Sequence, residues 1–369
     1  MNERWVAVLG WRDEPTDAVE EYCQFLGNAL AAHGIQLELI RVPWPEVGWS
    51  KALRDLREKT RASRNSWFLL QYTALAWSRR GFPLRVLSVL RELKKDGARC
   101  AVVFHDSGPY PGNRLVDKLR GAVQIHTMRK VTCLADLAIL TVPRDKLSWL
   151  PRDLRNVVFI PVGANLPSPE QAWHLEKKGR NELPTVAVFS ISGGAIGEEE
   201  VRRIAEAMRY ASRELGPLRL VVLGRNSEIS GKQLQEKLAQ SQVGVVIQGL
   251  LGAEEVVRTL GASDVLLFVR GPISSRRGSA IAGIACGLPV VACGGWETGP
   301  PITEAGVVLL PENSTDKFGP ALVRVLIDDD YRASLRERSR QAQQQYFSWS
   351  VIAVEYAAAL RKASEGSGH

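Results

Sequence analysis

Residues 261–295 read GASDVLLFVRGPISSRRGSAIAGIACGLPVVACGG. The stretch divides into an apolar run at 265–269, a polar, basic turn at 271–278, a small-residue helix at 279–286 and a second apolar run at 289–293. Apolar strands without alternation belong to parallel sheets that are covered on both faces. A turn that leaves the carboxyl end of such a strand and enters a helix offers free N–H groups and the positive end of a dipole, which favour an anion. Arg276 and Arg277 lie in that turn, and the small residues Gly278, Ser279, Ala280, Ala282 and Gly283 let backbone approach a ligand closely. The stretch therefore predicts a phosphate-bearing ligand.

The same alternation extends outward in both directions. Ahead of the turn, apolar runs occur at 185–190, 218–224 and 243–249, and after it at 307–310. The first half repeats the pattern with runs at 6–10, 35–42, 67–72, 100–105, 137–142 and 157–162, and with helical stretches at 18–33, 49–64, 84–97 and 113–126. Strands alternating with helices imply doubly wound parallel sheets. Between the halves, the Pro-rich and polar passage 163–183, with Pro167, Pro169 and Glu176-Lys177-Lys178, reads as a linker. The expected domains are 1–165 and 166–347, and the helical stretch 348–362, in the terminal segment 348–369, crosses back to the first. The run Asp328-Asp329-Asp330 reads as a solvated turn.

Composition keeps the chain among ordinary soluble proteins. No apolar run nears the roughly 20 residues of a membrane helix, and the opening MNERWVAVLGWRDE lacks the pattern of a signal peptide, so a cytoplasmic protein is expected. Cys23, Cys100, Cys133, Cys286 and Cys293 are scattered without a C-x-x-C pair and read as buried reduced thiols, not as a metal site. The net charge of +8 lies wholly within residues 1–165, and residues 51–130 hold 18 Lys and Arg against 6 Asp and Glu. Such a basic half attracts an acidic ligand, anionic lipid headgroups or nucleic acid, or is simply a solvated surface. The basic excess is not tied to any nucleic-acid module, so no nucleic-acid partner is expected.

The run Ala282-Gly283-Ile284-Ala285-Cys286-Gly287-Leu288-Pro289-Val290-Val291, after Ala262-Ser263-Asp264, resembles the donor-site signature of family 4 (group 1) glycosyltransferases. The resemblance implies a GT-B fold: two Rossmann-like α/β domains, the first binding acceptor and the second a nucleotide sugar, with a cleft between them. It implies retaining transfer of a hexose without a metal or further cofactor. Two glutamates eight positions apart mark that family's donor site, and here Ser274 and Ala282 stand in their places.

Several residues follow as candidates. His105 matches the family's histidine at the end of a first-domain strand, which reaches the donor sugar, and Asp106 beside it is expected at the acceptor. Arg276 and Arg277 are expected to hold the diphosphate and stabilise it as a leaving group, with Ser274, Ser275, Gly278 and Ser279 around them. Gly193 and Gly194 occupy the place of the family's glycine-rich loop; its usual basic partners are absent, and Arg225 is a substitute. Gln248 and Leu250 are expected near the base, and Glu254 near the ribose or simply at a helix start. In the first half, Gly10, Trp11 and Asp13 form an acceptor loop, or residues 13–16 cap the next helix. Trp77, beside Arg79 and Arg80, suits an anionic or lipid-linked acceptor, and with it peripheral membrane contact, or else packs within its loop. The alternative from another class is a degenerate GT-B chain that binds a ligand or a partner enzyme without catalysis; a nucleotide-sugar epimerase would need acidic groups that the sequence does not identify.

Overall fold

A computed structural model of the chain describes residues 3–14, 16–61, 66–95, 97–175 and 183–365. The chain divides into two compact units, Met1–Pro161 with Trp349–His369, and Val162–Ser348.

In the first unit, strands β1 (Glu3–Leu9), β2 (Ile35–Arg41), β3 (Trp67–Tyr72), β4 (Arg99–Phe104), β5 (Leu137–Leu140) and β6 (Val157–Phe159) form one sheet in the order β2-β1-β3-β4-β5-β6. Every pairing is parallel. β3 is buried at all its positions, as its unbroken apolar run requires for a strand covered on both faces. The helix Ala18–Ala31 begins at Asp17, whose Oδ1 accepts from the N–H groups of Val19 and Glu20 at 3.1 Å each. Its buried residues Tyr22, Cys23, Leu26 and Leu30 recur at helical spacing. Each large apolar side chain so buried contributes about 1.5–3 kcal/mol. The terminal helix Trp349–Glu365 packs on this one: Trp349 stacks on Phe25, and the hydroxyls of Tyr22 and Tyr356 share a buried hydrogen bond of 2.7 Å.

The second unit holds β7 (Thr185–Phe189), β8 (Leu218–Leu223), β9 (Val243–Gly249), β10 (Val265–Phe268), β11 (Val290–Cys293) and β12 (Val307–Leu310) in the order β12-β11-β10-β7-β8-β9, again all parallel. The chain starts one strand in from the edge of the first sheet and in the middle of the second, and in each it later reverses direction, so β1/β3 and β7/β10 are the switch points. Loops at the carboxyl ends of strands diverge there and leave room for a ligand.

Some local expectations change. The helix expected at 113–126 runs through Leu115–Leu134, because Met128 and Val131 continue its buried face. The acidic run at 328–330 is a helix start, not a free turn: Asp328 accepts from the N–H of Tyr331 at 2.9 Å and caps Asp329–Ala342. Of the passage expected as a linker, residues 176–182, including Glu176-Lys177-Lys178, lie outside the described residues. The part before them packs on the second unit, where Trp173 Nε1 donates to the carbonyl of Ala285 at 2.8 Å. Cys133 is exposed, whereas the other four cysteines are buried, and all five are free thiols. Among the described residues no helix is long and apolar enough to cross a membrane.

Candidate functional site

The basic turn after β10 lies at the switch point of the second sheet. It enters the helix Gly278–Ala285, whose first amides have no partner within the helix. Arg276 and Arg277 do not extend into solvent. Both bind Glu297, a carboxylate only 1% exposed in the loop after β11. Glu297 Oε2 accepts from Arg276 Nε at 2.6 Å, and Oε1 accepts from Arg276 Nη2 at 3.1 Å and Arg277 Nη2 at 3.0 Å. Thr298 fixes that loop to the turn, donating through Oγ1 to the carbonyl of Ile273 at 2.6 Å. Burial, and then the neighbouring Arg276, hold the Arg277 guanidinium down to about 10, with Glu297 acting in the opposite sense. It remains a cation at neutral pH.

A third arginine joins them. Arg270 ends the β10 run, and its Nε is buried without a hydrogen-bond partner. Burial lowers its pKa, opposed by Glu200, while Arg225 lowers it further. Arg225 and Arg270 thus feel one another, as Arg270 and Arg277 do, across the ends of β8 and β10. Glu200, 3% exposed, accepts from both the N–H and the hydroxyl of Ser192 at 2.7 Å and fixes the loop after β7. That loop runs into the long helix Gly194–Leu215, with Gly193 at its N-cap and Gly194 at a φ of +61°. A Cβ at Gly194 meets nothing within 4 Å, so the position is open as well as conformationally demanding. The unit thus gathers four arginines, two carboxylates and two helix starts around β7, β8 and β10, an arrangement suited to a diphosphate.

The remaining second-unit candidates are dispersed. Ser274 and Ser275 are buried, and the Ser274 hydroxyl has no partner. Ser275 receives the N–H of Val162 on its carbonyl at 3.0 Å, which ties the start of the unit to the turn. Gly278 and Ser279 open the helix beyond the arginines. Gln248 and Leu250 lie at the end of the edge strand β9, where Gln248 Oε1 accepts from the Thr259 hydroxyl at 2.8 Å and Leu250 is exposed. Glu254 is exposed in the first turn of Ala253–Gly261. β9 stands three strands from β10, about 14 Å at the usual spacing.

In the first unit, His105 follows β4, half-buried. Its Nε2 lies 2.8 Å from Gln71 Oε1. The Gln71 amide group donates to the carbonyl of Leu69 at 3.2 Å, which turns its oxygen toward the imidazole and assigns the ring proton to Nε2. Tyr22 meets the imidazole edge-on, with centroids 5.1 Å apart. Asp106 points back into its own unit: Oδ2 accepts from the N–H of Ala74 at 2.6 Å and from the Tyr110 hydroxyl at 3.3 Å. Trp77 is buried, with Nε1 donating to the carbonyl of Gln71 at 2.9 Å.

Gly10 cannot be replaced without movement, since a Cβ there falls 2.4 Å from the carbonyl oxygen of Ala76. Trp11 is exposed, and its N–H donates to that same oxygen at 2.8 Å. Asp13 is exposed and accepts from the N–H of Glu14 at 3.0 Å. The helix is capped by Asp17, not by residues 13–16; Pro15 lies outside the described residues. Arg41 binds Asp17 at 3.1 Å and Glu20 at 2.7 Å, and donates to the carbonyl of Gly10 at 3.0 Å, bracing the loop.

Glu297, Arg270, Glu200 and Gln71 are not among the sequence candidates. Arg270 is signalled by its place at the end of an apolar run; the carboxylates act across loops far apart in the chain. Among the described residues, no group of three or more His, Cys, Asp and Glu is gathered as a metal site.

Two six-stranded parallel sheets with these switch points define the GT-B fold. Solved structures that share it include glycosyltransferases and a putative UDP-N-acetylglucosamine 2-epimerase from Listeria monocytogenes, the latter 12% identical over 99% of this chain and 98% of its own, with a TM-score of 0.63. Sucrose-phosphate synthase from Thermosynechococcus elongatus is 18% identical over 99% of this chain and 100% of its own, with a TM-score of 0.69. Anabaena HepE, solved with UDP and glucose, is 12% identical over 98% of this chain and 100% of its own, with a TM-score of 0.65. WaaG, a glycosyltransferase involved in lipopolysaccharide biosynthesis, is 14% identical over 96% of this chain and 99% of its own, with a TM-score of 0.64. No protein-family model and no curated protein sequence matches the chain.

Proposed function

We propose that this chain is a glycosyltransferase that moves a hexose from a nucleoside-diphosphate sugar to a hydroxyl acceptor, with retention of configuration. The observation that carries the reading is the Arg276–Arg277–Glu297 cluster at the β7/β10 switch point, with Arg270 and Arg225 beside it. Arginines fixed before the reaction bind a diphosphate bidentately and favour it more as the bond to the sugar breaks and charge builds. This supplies the leaving-group stabilisation for which many enzymes use a metal, and neither a metal nor a further cofactor is invoked. No protein nucleophile is required: the departing phosphate oxygen takes the acceptor proton while binding holds the reactants in place.

The second unit binds the donor, with Gly193, Gly194 and Gly278 allowing backbone close to phosphate and the β9 end, at Gln248 and Leu250, serving the base. The first unit binds the acceptor and contributes His105, oriented by Gln71, to a sugar hydroxyl. Its cationic excess draws an anionic or lipid-linked acceptor, and peripheral contact with an anionic membrane follows from the same charge. The protein works in the cytoplasm, where nucleotide sugars are made.

The test is incubation of the full chain with a panel of nucleotide sugars, followed by assay of released nucleoside diphosphate. One donor should be turned over, at least slowly, even with water as acceptor. Binding of nucleoside diphosphates without release from any donor would make the chain a ligand-binding relative instead, and absence of binding would remove both readings.

A further inference from the structure

The first unit carries a surface groove of about 410 Å³, within the usual range for small-molecule sites. Its walls are Trp44, Trp49 and Phe82, with the buried Trp77 beneath, and its rim holds Arg79, Arg80 and Arg85. Trp44 follows β2 and Trp77 follows β3, so the groove opens at the carboxyl end of the sheet. It adjoins the 10–14 loop, because Trp44 Nε1 and the N–H of Trp11 both donate to the carbonyl of Ala76, at 2.9 and 2.8 Å.

The three arginines are unusual for a folded surface. Among the described residues no carboxylate pairs with them, although Arg57 and Lys95 nearby in the chain both bind Glu92. Two are held by rings instead: the Arg79 guanidinium lies 4.7 Å from the centre of the Trp11 ring, and that of Arg85 lies 5.4 Å from the centre of Trp49. Trp49 is itself stacked on Trp44, with centroids 4.9 Å apart and planes 8° apart. A guanidinium stacked on an indole uses the faces of its plane and keeps its in-plane N–H fork for an anion. The groove thus combines pre-positioned cations with aromatic walls that suit the apolar C–H faces of a pyranose.

We propose that this groove is the acceptor subsite and that it takes a saccharide bearing a carboxylate or phosphate, with Arg79 and Arg85 on the anionic group and the aromatic walls against the ring. The proposal rests on the reading of the chain as a glycosyltransferase, and it assigns the chemical class of the acceptor.

Calorimetric or saturation-transfer NMR titrations of the full chain with glucose, glucuronate, glucose 6-phosphate and inorganic phosphate, at one ionic strength, test it. Glucuronate or glucose 6-phosphate should bind at least tenfold more tightly than glucose and than inorganic phosphate, and the tighter of the two identifies the source of the charge. Arg79→Ala with Arg85→Ala should remove at least tenfold of that affinity, and Trp49→Phe a smaller factor, with melting curves showing that each variant folds. Equal binding of glucose and glucuronate overturns the proposal, as does inorganic phosphate binding as tightly as either anionic sugar. So do displacement of the sugar by oligothymidylate and unchanged affinity in a folded double-alanine variant. UDP titrated into the unmodified protein separates the two readings. UDP binding without saccharide discrimination overturns the subsite alone, and no UDP binding overturns the transferase reading on which it rests.

Discussion

Arg276 and Glu297 form a two-point ion pair, Nε to Oε2 at 2.6 Å and Nη2 to Oε1 at 3.1 Å, with the carboxylate only 1% exposed. The pair fixes the guanidinium before any ligand arrives, and Arg277 shares the same carboxylate. Removing the carboxylate by Glu297→Ala leaves two adjacent cations to repel one another, at a cost of about 3 kcal/mol. The melting temperature should fall, and added inorganic phosphate should restore more of it than in the parent protein, because an external anion takes the vacant place. Equal phosphate effects on both proteins would argue against an anion site in the turn.

Arg276→Ala combined with Arg277→Ala removes both charge-assisted contacts assigned to the diphosphate. Turnover should fall by at least 100-fold, and UDP binding measured by calorimetry should weaken by about 100-fold or more, since each of the two contacts contributes roughly 1.5–3 kcal/mol. Unchanged values would place nucleotide chemistry elsewhere.

Gln71→Leu takes away the acceptor that orients His105 Nε2. Turnover should drop by about tenfold, the scale of one neutral hydrogen bond. UDP affinity should hold, because the nucleotide is assigned to the other unit. A loss of UDP affinity equal to the loss of turnover would show that Gln71 acts on folding instead of on the imidazole.

The Tyr22–Tyr356 hydrogen bond joins two helices that are distant in the chain. Burial, above all, pushes the pKa of both hydroxyls upward, so both stay protonated throughout the stable pH range. Either Tyr→Phe change alone leaves one buried hydroxyl without its partner and should destabilise by about 1–3 kcal/mol, while the double change should cost less than the sum of the two. Urea melts of the four proteins measure the coupling.

Thiol labelling should divide the cysteines. Cys133 is exposed and should react with a maleimide at neutral pH, whereas Cys100 and Cys286, each pushed up to about 12 by burial, should stay inert even at pH 9. Cys23 and Cys293 are also buried with raised pKa, so one thiol per chain should label in buffer and five in denaturant. More than one fast-reacting thiol in buffer would contradict the packing described.

Much of the fold is legible in local pattern. Unbroken apolar runs such as VLLF and VVAC mark strands covered on both faces, and their alternation with helices fixes parallel pairing. Element boundaries are less legible. The cap of the first helix falls on Asp17 because its carboxylate reaches two amides, a geometric fact that the nearby Asp13 and Thr16 obscure in sequence. The length of Leu115–Leu134 depends on which of its residues meet the sheet, and its mixed pattern gives no clear face.

The chain's own order determined two doubly wound sheets and an arginine-bearing turn at the carboxyl end of β10, because strand burial and helix entry are written in residues close together. Only tertiary structure decided what that turn meets. Glu297 reaches Arg276 across 21 residues because β11 lies beside β10, and Arg225 comes into the field of Arg270 because β7 alone separates β8 from β10. The order of strands across a sheet is set by non-local packing, and the local period of a sequence carries no record of it.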